Sequence, residues 1–254
     1  MLLRRVTDHV KAENWFAVGI DFAIVVVGVF VGIQVSNWNG ERIERHHEQE
    51  LLVRLHQDFI ESIKGQQRDL DFLDQQFSDQ AVILKSLAAC KVTPEDTVAF
   101  QRGVVTLGYI NPPRFFRRTV DELASAGKMD VIQNEFIKDE LAAIVALVEW
   151  RAYGFDSIAR ITEHHRYLVE GQIHYDLTKT HADMYLGEFF GVVFDIQTLC
   201  QNSLMTSAVS AISQMTRERE RAFRPILEDY RKFLPLLEQE LQDRWQLEIG
   251  VTTP

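Results

Sequence analysis

The sequence predicts an all-α protein in which one N-terminal transmembrane helix is followed by a bundle of long helices. Three observations carry this. Trp15 to Val35, WFAVGIDFAIVVVGVFVGIQV, is an apolar run with a single ionisable side chain, Asp21. Glu41 to Ala89 has no proline and one glycine, Gly65, and repeats its apolar residues at heptad spacing. The 6 prolines fall at a few joints, between stretches rich in Leu, Glu, Gln, Arg and Ala, which are good helix formers.

Taken in order, the chain reads as an amphipathic tail at 1–14, a transmembrane helix at 15–38, a long helix or coiled-coil stalk at 39–89, a helical bundle at 90–248 and a flexible tail at 249–254. In the tail, Leu2, Leu3, Val6 and Val10 fall on one side, with Arg4, Arg5, Asp8 and Lys11 largely elsewhere. Arg4, Arg5, Trp15 and Trp38 are the expected membrane-interface anchors. The span is roughly 30 Å long as a helix, the thickness of a bilayer's hydrocarbon core. A cleaved signal peptide fits less well. The flank before the run is long, the run exceeds an ordinary h-region, and no small-x-small site ends it. Lysine and arginine counts on the two flanks are tied, so orientation rests on the shortness of the N-terminal tail. The expectation is a cytoplasmic N-terminus and an exported domain.

Within the span, Ala17, Gly28 and Gly32 lie within about 40° of Asp21 at 100° per residue. A carboxylate facing lipid is expensive, and small residues let helix backbones approach closely. Ala17, Asp21, Gly28 and Gly32 therefore form the expected helix-association face, and the expected assembly is a homo-oligomer through the transmembrane helix. Membrane lipid is the other expected partner, with a membrane or envelope protein as a further candidate. A net charge of -10 argues against nucleic acid.

After the span, Ile63, Leu70, Phe77 and Leu84 form one apolar row. Leu52, Phe59, Leu73 and Leu87 form a second, interrupted by Gln66 and Gln80. The polar interruptions favour a helix packed within its own domain over a coiled coil. Thr93-Pro94-Glu95-Asp96 starts a helix running to about Leu107. Asn111-Pro112-Pro113 breaks the chain. Thr119 and Glu122 read as a capping box, and Gly127 as a stop. A long helix begins near Asn134, striped by Phe136, Leu141, Ile144, Val145 and Val148, and continues past Gly154 to about Gly171. Glu188 to Val193 reads as a buried turn or short helix. From Ser203 to Leu241 helical spacing returns, with Pro225 and Pro235 expected to kink or restart the helix.

Chemistry is sparse. The chain has no GxSxG, P-loop, GxGxxG, CxxC or HExxH, so no catalytic residue and no cofactor is assigned. His164, His165, His174 and His181, with Glu163, Asp176 and Asp183, match no metal-ligand spacing and read as a solvated face. Arg114, Arg117 and Arg118 around Phe115-Phe116 read as an exposed loop with ordinary ion pairs, and Arg217 to Arg224, RERERAFR, as a solvated helix face. The two cysteines, Cys90 and Cys200, read as unpaired buried thiols, the alternative being one disulfide if the domain is exported.

Two segments carry a resemblance. GIDFAIVVVGVFVGIQVSNWN presents Asp21, Val26, Val27, Gly28, Gly32, Gln34, Asn37, Trp38 and Asn39. TVDELASAGKMDVIQNEFIKDEL presents Asp121, Glu122, Leu123, Ser125, Gly127 and Ile132, with Met129 in place of a usual Leu. Each resembles a signature of a large group of uncharacterised bacterial single-pass membrane proteins, whose anchor ends in a VVxGxxxGxQxxNWN-like pattern and whose domain carries a DELxSxGxLxxI segment. The resemblance implies membrane anchoring and a helical domain, and with it a bacterial inner-membrane location. It carries no activity.

The leading functional expectation is a membrane-anchored, self-associating, non-enzymatic protein whose helical domain is a sensor, scaffold or partner-binding module. A second is a single-pass subunit of an ion-coupled membrane complex using Asp21. A third is a metal-dependent enzyme using the His164–His181 region.

Overall fold

The structure, a computed structural model, describes residues 15–247. The chain divides into two compact units, Met1–Leu51 and Leu52–Pro254. The tails expected at 1–14 and 249–254, with Arg4 and Arg5, lie outside the described residues, as do the side chains of Trp15 and Ala17.

The first helix, α1, is Trp15–Ala89. Over 18–38 it carries an apolar, exposed surface broken by the single carboxylate of Asp21. Phe16, Phe22, Val27, Phe30 and Ile33 are each more than half exposed. The apolar window has mean hydropathy 2.3 and none of it is buried. A water-soluble domain hides such a surface. The helix is long and apolar enough to cross a membrane, a property that signal sequences share.

The second unit is built on three long helices: residues 52–89 of α1, α4 (Glu135–Glu170) and α6 (Ser203–Trp245). Between them lie α2 (Thr97–Thr106), α3 (Arg118–Ser125), a 3-10 turn at Met129–Val131, strands β1 (His174–Asp183) and β2 (Gly187–Val193), and the short helix α5 (Ile196–Gln201). Among the described residues the unit is all-α but for this one two-stranded sheet.

Helix α6 runs antiparallel to α1. Gln80 donates to Thr216 at 3.1 Å, Arg231 to Gln67 at 2.9 Å, and His56 meets Glu238 at 3.0 Å. It also packs against α4, whose Asn134 donates to Glu240 at 2.6 Å. The α6 stripe Ile212, Phe223, Ile226, Tyr230, Phe233, Leu237 and Leu241 is fully buried. At one end of the unit, Ile83 and Leu87 of α1 join Phe100, Val104, Val169, Ile173, Val192, Met205 and Val209 in one cluster. At the other, Phe59 packs against Phe115, Tyr230 and Phe233, with ring centroids 4.6–5.7 Å apart.

The seam of α1 is buried within its own unit. Gln66 and Gln80, which interrupt the apolar row, are 0% and 1% exposed and are held by hydrogen bonds to Arg114 N–H and Thr216. The long helix begins near Asn134 as expected, and the Asn134 side chain caps it, accepting from the N–H groups of Phe136 and Ile137. Gly127 stops the segment after α3 with φ +62°, a left-handed conformation suited to glycine.

Four expectations are corrected. Glu188 to Val193 is not a turn or helix: it lies in β2, paired antiparallel with β1 from His174↔Val193 to Asp183↔Gly187. Asp183 accepts from the N–H groups of Tyr185 and Leu186 and closes the hairpin as an Asx turn. Helix α6 is not restarted at Pro225 or Pro235 but runs through both. Each proline frees one carbonyl, that of Arg221 or Arg231, and both residues are exposed to water. The capping box at Thr119 and Glu122 is displaced, because α3 begins two residues earlier than that box requires, at Arg118, and its N-terminus is capped from another helix. Cys90 and Cys200 are not unpaired buried thiols. They form a disulfide joining the end of α1 to α5, and both are half-buried.

Candidate functional site

The first candidate is the helix face in 15–51. Asp21, Gly28 and Gly32 share one side of α1, and Gln34 points roughly opposite. A Cβ placed on Gly28 or Gly32 meets no atom within 4 Å, so the glycine face is open to a second helix. Trp38 is 61% exposed and stands at the polar end of the apolar run. Chemically this face offers close backbone approach and one carboxylate.

The second region is the polar edge of α1 in the helical unit. Asp58, Ser62, Gln66 and Asp69 recur at three- and four-residue spacing, and all are buried. They bind the extended strap that follows Pro113. Gln66 accepts from Arg114 N–H at 2.8 Å, Ser62 from Phe116 N–H at 2.9 Å, and Asp58 from Thr119 N–H at 2.9 Å. Asp69 pairs with Arg114 at 2.8 Å, and Arg118 reaches Asp58 at 3.4 Å. Tyr230 donates to Arg114 C=O at 3.0 Å. Burial pushes the Tyr230 phenol upward, so it stays a donor. A Cβ on Gly65 would sit 2.8 Å from Arg114 Cδ, which is why the strap crosses α1 there. The basic–aromatic group is thus an exposed loop with ordinary ion pairs, as expected, and its backbone is pinned to α1: Arg118 is 83% and Phe116 39% exposed. Arg117 is paired too, with Asp121 and Glu149.

A third cluster ties the hairpin to α1 and α2. Arg102 makes two hydrogen bonds to Asp79, at 2.7 and 2.8 Å, and lies 3.8 Å from Asp183. Burial alone would raise the Asp183 carboxyl. The Leu186 and Tyr185 N–H groups, with Gln75 and Arg102, outweigh it and hold the pKa low. Beside this cluster is a cleft of about 430 Å³ lined by Arg68, Asp69, Tyr109, Arg114 and Tyr185.

The RERERAFR segment is only partly a solvated face. Arg217 lies over Phe77 and, with Arg224, brackets Glu220. Burial raises the Glu220 carboxyl, but these two guanidiniums overcome it and hold its pKa low. Arg219 is 3% exposed and donates to Tyr109 C=O at 2.9 Å. Burial pulls its guanidinium down to about 10, with only partial compensation from Asp69. Its burial has a sequence signal: the spacing Ile212, Thr216, Arg219, Phe223, Ile226, Tyr230 puts Arg219 inside the apolar stripe.

The histidines are not gathered. His164 and His165 are neighbours on α4, their rings 5.3 Å apart. His174 and His181 stand at separate positions on β1, where His181 stacks on Phe189. Asp176 and Asp183 are engaged in turns, and Glu163 accepts from Tyr167. Among the described residues no three His, Cys, Asp or Glu side chains converge as metal ligands would.

These features define a helical protein with an exposed apolar N-terminal helix and a disulfide-linked helical unit. Comparison with protein-family models, with curated proteins and with solved structures finds no match.

Proposed function

We propose that the chain is a membrane-anchored, self-associating, non-enzymatic protein. In this reading, its spans assemble through Asp21, Gly28 and Gly32, with Ala17 on the same face, and its helical unit is an exported partner-binding or sensing module. The observation that carries the reading is the unburied apolar helix from Val18 onward, with one face of small residues and a single carboxylate. The Cys90–Cys200 disulfide supports export, because disulfides persist in oxidising compartments. The resemblance of the anchor and the DELASAG segment to bacterial single-pass proteins supports an inner-membrane location. The cleft at Arg68, Asp69 and Tyr185 is the proposed partner contact, offering both charge signs and aromatic surface.

The test is the oligomeric state of the full chain in detergent. Asp21→Asn and Gly28→Leu are each expected to shift it toward monomer. An oligomer unchanged in both overturns the assembly model. Co-purification of a multi-pass subunit in place of self-association would instead favour the ion-coupled complex. Export is tested by thiol alkylation of intact cells followed by denaturation without reductant. Protected cysteines are expected, and two alkylated cysteines would place the domain in a reducing compartment.

A further inference from the structure

A cleft of about 180 Å³ opens between α4 and α6, lined by Arg151 and Arg219 and walled by Trp150, Phe155, Ile158 and Phe223. Two features of it are unusual for a helix interface. The first is charge. Arg219 is 3% exposed, yet among the described residues its one hydrogen bond is from Nη1 to Tyr109 C=O, and its Nε is buried without a partner. The Nε of Arg151 is also buried without a partner, and its guanidinium lies 4.6 Å from the centre of the Trp150 ring. No carboxylate of the described residues pairs with either arginine. Asp69, whose field reaches Arg219, is hydrogen-bonded to Arg114. A buried cation without a counter-charge is costly, and a guanidinium offers five N–H donors in a fork that matches a carboxylate.

The second feature is the wall. The cleft is small, with aromatic sides, and Trp150 at its mouth is 64% exposed. An engineered apolar cavity of about 150 Å³ takes up benzene, so this volume suits one ring. The donors demand an anion, and the walls demand a compact apolar body.

We propose that this cleft binds a small aromatic carboxylate. Its oxygens would be held by Arg151 and Arg219, and its ring would lie among Trp150, Phe155 and Phe223. The site is built by α4 and α6 alone, so it stands whether or not the anchor self-associates. It would make the helical unit a receptor for an acidic aromatic small molecule.

The experiment is calorimetric titration of the full chain in detergent with benzoate, benzamide, octanoate and inorganic phosphate. Benzoate is expected to saturate one site with Kd below about 1 mM, within reach of a ligand of that size. Benzamide lacks the charge, phosphate lacks the ring and octanoate is too long for the cleft. Each is expected to bind at least about tenfold more weakly. Arg151→Met, a half-buried change on one helix, is expected to weaken benzoate at least about tenfold while leaving the unliganded melt in place. Arg219→Met should do the same if it folds. No saturable benzoate binding overturns the proposal. So does equal binding of benzamide, tighter binding of octanoate, or an Arg151→Met variant that binds as the parent does.

Discussion

Asp58 caps a helix to which it does not belong, and its removal tests the tertiary account of α3. Its side chain accepts from Thr119 N–H at 2.9 Å, one of the donors at the α3 N-terminus that no intrahelical carbonyl can satisfy. Thr119 is 3% exposed and Asp58 is 4% exposed, so water does not replace the bond readily. In Asp58→Ala the buried N–H is left without an acceptor, which costs about 1–3 kcal/mol. The Arg118 pair adds little, because Arg118 is 83% exposed. The expected loss is about 2 kcal/mol, a fall in Tm of about 4–8 °C for a unit of this size. Asp58→Asn keeps an acceptor oxygen and should lose about 1 kcal/mol or less. Glu122→Ala is the control. A local capping box would make it costly, whereas here Glu122 is a half-exposed partner of Arg54 and should cost less than about 0.5 kcal/mol. The assay is thermal and urea unfolding of the full-length protein in detergent, followed by near-UV circular dichroism. Equal losses in Asp58→Ala and Glu122→Ala, or no loss in Asp58→Ala, would refute tertiary capping.

Three further outcomes follow from the same structure. Reduction of Cys90–Cys200 opens a loop of sequence separation 110 and should cost about 2–5 kcal/mol, visible as a lower melt in reductant and an unchanged one in a Cys90→Ser/Cys200→Ser variant treated likewise. Gly108 sits at φ +87° with Arg166 Cδ 2.9 Å from where a Cβ would stand, so Gly108→Ala should destabilise by about 1–3 kcal/mol; a neutral result in urea titration would show that the turn relaxes freely. Glu220 and Asp183 have lowered folded-state pKa values, so they favour the native state above the ordinary carboxylate range near pH 4, and that contribution is lost as pH falls through their folded values. Glu220→Gln should flatten the acid limb of Tm against pH, and an unchanged limb would assign acid sensitivity elsewhere.

The all-α class, the long apolar N-terminal helix, the starts of the long helices near Asn134 and Ser203, and the face holding Asp21, Gly28 and Gly32 are legible in the sequence. They rest on local rules: a run length, a 3.6-residue period and a capping side chain, each of which acts between residues close in the chain. The polar interruptions Gln66 and Gln80 are legible as signs of packing within the domain, since an amide in an apolar seam needs a specific partner. Those partners, Arg114 N–H and Thr216, lie 48 and 136 residues away, and no local pattern names them.

The tertiary structure decided the rest. It paired Cys90 with Cys200, moved the cap of α3 from Thr119 and Glu122 to Asp58, and turned Glu188 to Val193 into a strand by supplying β1 as its partner. It let α6 pass through Pro225 and Pro235, because the freed carbonyls belong to the exposed residues Arg221 and Arg231 and the buried stripe is continuous. It also buried Arg219, whose place in that stripe was readable but whose lack of a counter-charge was not. Helix period depends on neighbours three and four residues away, whereas hydrogen-bond partners, strand pairing and uncompensated charge depend on which distant segments the fold brings together.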